Sequence, residues 1–169
     1  FTYATRTTAT ATAFGDVAGQ VSGITVWATA PGATKATATS VAAYAYDDAG
    51  RLHQAWDPRI TPALKVTYTY DSLGRVVTVT PPGELPWSFT YGNVTSSPAA
   101  GEGMLLGVSR PTLTPGSLTA TNGTATTQVV YGVPVSGTGA PEDLSAKTIG
   151  TWGQKEVPTD ATAVFPADQ

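Results

Sequence analysis

The chain contains no cysteine, which excludes disulfides, thiolate metal sites and cysteine nucleophiles together. It has one histidine and one methionine. Charged residues make up only 12% of it, against roughly 25% in an ordinary globular domain. The nine lysines and arginines are scattered and form no basic stripe able to neutralise phosphates, so nucleic acid is not an expected partner. No apolar run approaches the length of a membrane span. No stretch reads as a full amphipathic helix. The nearest, Asp143-Leu144-Ser145-Ala146-Lys147-Thr148-Ile149, is long enough for about two turns at most. No metal or cofactor is expected.

What is present is a strand-forming alphabet with frequent turns. Apolar residues reach 41% and the formal net charge is −3. Threonine and valine favour extended chain, and 18 glycines with 13 prolines supply the punctuation. Within this alphabet one motif recurs. Tyr44-Ala45-Tyr46-Asp47-Asp48-Ala49-Gly50-Arg51-Leu52 is followed by Tyr68-Thr69-Tyr70-Asp71-Ser72-Leu73-Gly74-Arg75-Val76. A long motif repeated at fixed spacing is the mark of a repeat architecture.

The motif has a physical reading. Tyrosines at alternate positions fall on one face of a strand. The aspartate that follows can accept hydrogen bonds from the N–H groups ahead of it. The glycine can take the left-handed conformation that closes a type I turn with a bulge. Arg51 and Arg75, four residues after Asp47 and Asp71, are placed to pair with them across the turn. The returning strands stop at Asp57-Pro58 and Pro81-Pro82-Gly83, where proline cannot donate into a ladder. Asp47, Gly50, Arg51, Asp71, Gly74 and Arg75 are therefore assigned to structural turns.

Weaker copies flank these two. Trp87-Ser88-Phe89-Thr90-Tyr91-Gly92 matches the strand half, with Gly92 in the aspartate's place. Phe14-Gly15-Asp16-Val17-Ala18-Gly19-Gln20-Val21 matches the turn half with one extra residue, and Gln128-Val129-Val130-Tyr131-Gly132 reads as a last strand of the same kind. The chain then divides into degenerate Thr/Ala-rich strands at 1–40 and a repeat core at 41–93. A Ser/Pro/Gly-rich insertion or connection follows at 94–126, and a strand with turn-rich sequence at 127–169. Phe1-Thr2-Tyr3-Ala4-Thr5-Arg6 reads as strand, which favours an internal piece of a longer polypeptide.

The repeated motif resembles the YD repeats of the Rhs (rearrangement hotspot) family, whose relatives include wall-associated bacterial proteins and the shells of insecticidal toxin complexes. The resemblance is carried by residues 41–92, and the Ala/Thr/Gly-rich composition looks like an actinobacterial version. It implies an all-β fold in which antiparallel β-hairpin repeats form part of a YD-repeat shell or sheet. It implies neighbouring repeats of the same polypeptide as partners, and a secreted or cell-surface bacterial setting. It further implies a non-catalytic structural role, enclosing or presenting a toxin segment or surface module. An isolated stretch of such a sheet could also self-associate through its open edges.

Other constellations carry less. His53 lacks partners at catalytic or metal-binding spacing and reads as a strand side chain. Gly101-Glu102-Gly103-Met104-Leu105-Leu106-Gly107 misses a dinucleotide loop by one position and has no βαβ unit around it. Asp57-Pro58-Arg59-Ile60 lacks the glycine of the self-cleavage motif found in toxin-releasing shells, so no protease role is assigned. Trp27, Trp87 and Trp152 could stack on sugar rings, which keeps a cell-surface carbohydrate-binding module, with wall polysaccharide as partner, as the alternative. Aromatics filling gaps between small Ala and Thr side chains are the simpler account.

Overall fold

A computed structural model describes residues 1–93, 100–114, 117, 119–135 and 160–167. The chain divides into two units, Phe1–Trp87 and Ser88–Gln169. Every regular element among the described residues is a β-strand, and none is a helix able to cross a membrane. Asp143–Ile149 and Trp152 lie outside the described residues.

The first unit is an antiparallel meander. Its strands are β1 (Thr2–Tyr3), β2 (Val21–Ala28), β3 (Thr37–Tyr46), β4 (Leu52–Trp56), β5 (Lys65–Tyr70) and β6 (Val76–Thr80). Each pairs with the next in chain order. Residues directly opposite one another share a face, so the register sorts the side chains. Tyr44 faces Ala55, which faces Val66, and Tyr68 faces Val79. Ala45, Gln54, Thr67 and Thr80 form a row on the other face. Thr69 and Thr78 join them there, their hydroxyls 2.6 Å apart. One face is thus aromatic and aliphatic, the other mostly polar, with Trp56 as its one large ring. On the polar face Lys65 lies over the Trp56 ring at 4.5 Å and donates to Gln54 Oε1 at 3.0 Å.

Burial is concentrated at one point. Every residue of β4, β5 and β6 is half-buried. Ala45, Tyr46 and Asp47 at the end of β3 are buried, at 8%, 7% and 8% exposure. The segment before β2 closes over this point. Gly15 exchanges backbone hydrogen bonds with Tyr46 at 3.0 and 2.7 Å. A Cβ on Gly15 would lie 2.5 Å from Thr8 Oγ1 and 3.1 Å from the Ala9 nitrogen, so no larger residue fits there without displacing backbone.

The second unit holds β7 (Trp87–Tyr91, from Ser88 onward), β8 (Leu105–Leu113), β9 (Ala120–Pro134) and β10 (Asp160–Phe165). These pair antiparallel in that order. Val135, just past β9, is 1% exposed. Composition assigns 94–126 to an insertion or connection. Within that stretch Leu105–Leu113 and the first half of β9 are strand. Their pairing is closed by Thr114 N–H donating to the Thr119 carbonyl at 2.9 Å, and by Thr112 and Thr121 hydroxyls 2.8 Å apart. Threonines opposite one another stabilise a ladder without any apolar alternation.

Candidate functional site: the tyrosine-aspartate turns

The two Tyr-Asp turns have the same geometry. In the first, Gly50 N–H donates to the Asp47 carbonyl at 3.0 Å and Asp47 N–H to the Arg51 carbonyl at 2.9 Å. In the second, Gly74 pairs with Asp71, and Asp71 with Arg75, each at 3.0 Å. Gly50 and Gly74 have φ of 78° and 79°, the left-handed region open to glycine at little cost. Each aspartate serves two roles. Its Oδ1 accepts the arginine N–H, at 2.8 Å for Arg51 and 2.9 Å for Arg75, and its Oδ2 accepts the arginine Nε at 2.7 Å.

These contacts set the charge state. Burial pushes the Asp47 carboxyl up, but hydrogen bonds from the Arg51 backbone and side chain outweigh it and hold it below the usual range. The Asp71 carboxyl is lowered chiefly by the Arg75 N–H. Both carboxylates are ionised and already engaged, the opposite of what a general acid requires.

The turns are also tied to one another. Tyr70 Oη donates to the Leu52 carbonyl at 2.6 Å, and Tyr46 Oη to the Val21 carbonyl at 2.6 Å. In both cases the tyrosine just before a turn reaches the first strand residue after the preceding turn. Burial raises both phenols above 10, so they remain neutral donors. Arg51 adds a second tie. Its guanidinium sits 5.0 Å from the Tyr70 ring centre, and Nη1 donates to the Asp71 carbonyl at 3.3 Å.

The second unit repeats this scheme with different atoms. Tyr91 opposes Leu105 with a register shift beside it, as Tyr46 opposes Leu52 and Tyr70 opposes Val76. Gly92 N–H donates to the Met104 carbonyl at 3.0 Å, the pairing that Asp47 makes with Arg51. Met104 N–H donates to the Gly101 carbonyl at 3.0 Å, so that carbonyl replaces the missing carboxylate. A Cβ on Gly92 would collide with the Gly101 carbonyl oxygen, which is why this position is glycine. Tyr131 Oη then donates to the Leu105 carbonyl at 2.9 Å, as Tyr70 does to Leu52. The glycine run from Gly101 is a turn of this hairpin.

Residues 46–85 match the family model described as RHS Repeat. The chain carries an RHS repeat of the Rhs/YD-repeat family. No curated protein and no solved structure matches it. The matched segment contains both Tyr-Asp turns and the Tyr70–Leu52 and Arg51–Asp71 ties between them, so the RHS unit here is a structural hairpin with a built-in link to its neighbour.

The remaining sequence candidates stand apart from these links. His53 stacks on Phe14, ring centres 3.5 Å apart and planes 17° from parallel. Burial pushes its imidazole down from 6.5, against opposing pulls from Asp47 and the Tyr68 backbone. Asp57 is gripped by Arg59 through Nε and Nη2 and lowered to about 2 by that pair. Trp27 is 68% exposed and Trp87 37%, so both present ring surface to solvent. Among the described residues, no three His, Cys, Asp or Glu side chains gather as a metal site. The tyrosine hydroxyl links escaped the sequence reading. Their only signal there is a tyrosine directly before each turn.

Proposed function

We propose that this chain is wall: a non-catalytic run of hairpins in an Rhs/YD-repeat shell of a secreted or surface-associated bacterial protein, enclosing or presenting a toxin segment or surface module. The observation that carries the reading is the recurrent hydroxyl-to-carbonyl link, Tyr46 to Val21 and Tyr70 to Leu52. A hairpin alone cannot bury its own face, and stacking is what stabilises repeat arrays. A side chain that reaches back to the preceding hairpin at each step suits a surface extended by repetition. The chemistry of the turns agrees, since each Asp is consumed by its own Arg. Neighbouring repeats are the partners this design calls for.

The test is the natural full-length polypeptide. Electron microscopy with limited proteolysis should reveal a closed β-shell and a protease-protected segment inside it. An extended sheet that protects nothing would remove the container role while leaving the repeat architecture intact.

A further inference from the structure

The hairpin of β1 and β2 is built like the two Tyr-Asp hairpins, with extra chain in its turn. Tyr3 opposes Val21 with a register shift beside it, as Tyr46 opposes Leu52. Ala4 N–H donates to the Gln20 carbonyl and Gly19 N–H to the Ala4 carbonyl, both at 2.9 Å, the pairings that Asp47 and Gly50 make in the next hairpin. Gly19 has φ of 83°, like Gly50. Ala4 therefore stands in the aspartate's place and Gln20 in the arginine's. Where the other turns have Asp48-Ala49 and Ser72-Leu73, this one has residues 5–18, and Asp16 lies inside that stretch.

Residues 5–18 form a strap. It is tied to itself by Thr8 Oγ1, which accepts the Asp16 N–H at 2.8 Å, and by Thr7 Oγ1, which accepts the Ala18 N–H at 3.1 Å. It then lies over the next turn. Its hold there is small: the two hydrogen bonds between Gly15 and Tyr46, the Phe14 ring on His53, and Val17 beside Gly50. Phe14 is 52% exposed, so the stack has solvent on its outer side. Beneath the strap lie Tyr46 and Asp47, two of the buried residues of the first unit.

His53 is the chain's one histidine, and histidine is the side chain whose ordinary charge change falls between about pH 5 and 8. The groups around it come from three elements. Asp47, in the turn after β3, favours the imidazolium, but Arg51 already pairs with that carboxylate. The Tyr68 backbone in β5 also favours it, and burial opposes both and prevails. Asp16, on the strap beside Gly15, acts on the Tyr46 phenol. The stacked ring is thus held neutral, and an imidazolium is better solvated once Phe14 has left it. We propose that residues 5–18 are an acid-released strap: a proton on His53 drives Phe14 off the ring, the Gly15–Tyr46 pair opens, and Tyr46 and Asp47 are bared. The freed N–H and carbonyl of Tyr46 then present an unpaired strand edge. This device does not depend on the wall reading.

The test is amide hydrogen exchange of the 169-residue chain at about pH 7 and about pH 5, each rate divided by that of an unstructured peptide. The Gly15 and Tyr46 amides should open more often than those of β5 and β6 at both pH values. Their opening should become commoner by roughly threefold or more at the lower pH. His53→Phe, which keeps a ring against Phe14, should hold the strap closed and abolish that rise. Phe14→Ala should make opening commoner at both pH values. Gly15 and Tyr46 amides that open only as often as β5 and β6, an opening indifferent to pH, a rise that survives His53→Phe, or a Phe14→Ala variant that opens no more than wild type would each overturn the strap.

Discussion

The Tyr70 hydroxyl and the Leu52 carbonyl, 2.6 Å apart, join two hairpins that are also tied by Arg51 to the Asp71 carbonyl and by Lys65 to Gln54. Tyr70 is half-buried, so removing its hydroxyl leaves the carbonyl short of its partner. Tyr70→Phe should cost about 1–2 kcal/mol. Tyr68→Phe should cost little, because the Tyr68 hydroxyl makes no hydrogen bond among the described residues. Urea denaturation of the two variants checks this. Equal losses would mean that the ring, not the hydroxyl, secures the neighbour.

Acid should loosen the turns. Asp47, Asp71 and Asp57 all have carboxyls held below 3.8 in the fold, Asp57 at about 2. A lowered carboxyl contributes stability above its unfolded pKa and loses it as pH falls through the folded value. The carboxylate contribution to the melting temperature should therefore be level above about pH 4 and fall below it. Asp47→Asn should lower the level part and flatten the fall. Asp47 is the more enclosed aspartate, its side chain 11% exposed against 21% for Asp71, so Asp47→Ala should destabilise more than Asp71→Ala. Thermal melts from about pH 7 down to about pH 2.5 span the carboxylate range and measure both effects.

Gly74 isolates a purely conformational cost. Nothing lies within 4 Å of a Cβ built there, yet its φ is 79°. Gly74→Val should cost more than Gly74→Asn, because asparagine tolerates this region and a β-branched residue does not. Ser72→Ala, in the same turn, should be close to neutral. Matching melting temperatures for Gly74→Val and Ser72→Ala would refute the turn geometry.

The parts of this fold visible in sequence are those built from near neighbours. Asp47, Gly50 and Arg51 interact within five residues, so their spacing alone specifies the turn. The Tyr70–Leu52 link spans 18 residues and the Phe14–His53 stack 39, and neither has a local signature. β8 and the first half of β9 were hidden for another reason. Their threonines, glycines and prolines resemble a connection, and what makes them strands is the ladder each provides for the other.

The third hairpin makes a prediction that runs against its own pattern. Placing aspartate at position 92 would restore the family motif in sequence. The Gly101 carbonyl already occupies that place, in collision distance of where a Cβ would sit. Gly92→Asp should therefore destabilise the second unit by about 2 kcal/mol or more, through steric displacement and an unpaired charge. Hydrogen exchange in β7 and β8 would report it as lost protection. Unchanged protection would show that the Gly101 turn can yield to the motif.

His53 supplies the remaining pH effect. Its imidazole packs against Phe14, and burial lowers its pKa from 6.5. A lowered imidazole favours the neutral form in the fold, so its contribution is complete above about pH 6.5. That contribution is lost as acid protonates the unfolded chain first, down through the folded value. Between about pH 7 and pH 5 the wild-type chain should lose stability, in a step separate from the carboxylate step below about pH 4. Nuclear magnetic resonance titration should place the His53 pKa below 6.5, and His53→Phe, which keeps a ring against Phe14, should remove the upper step while sparing the lower one. A His53 pKa above that value would show that the Asp47 carboxylate outweighs burial at this imidazole, and an upper step that survives the substitution would show that it does not arise from His53.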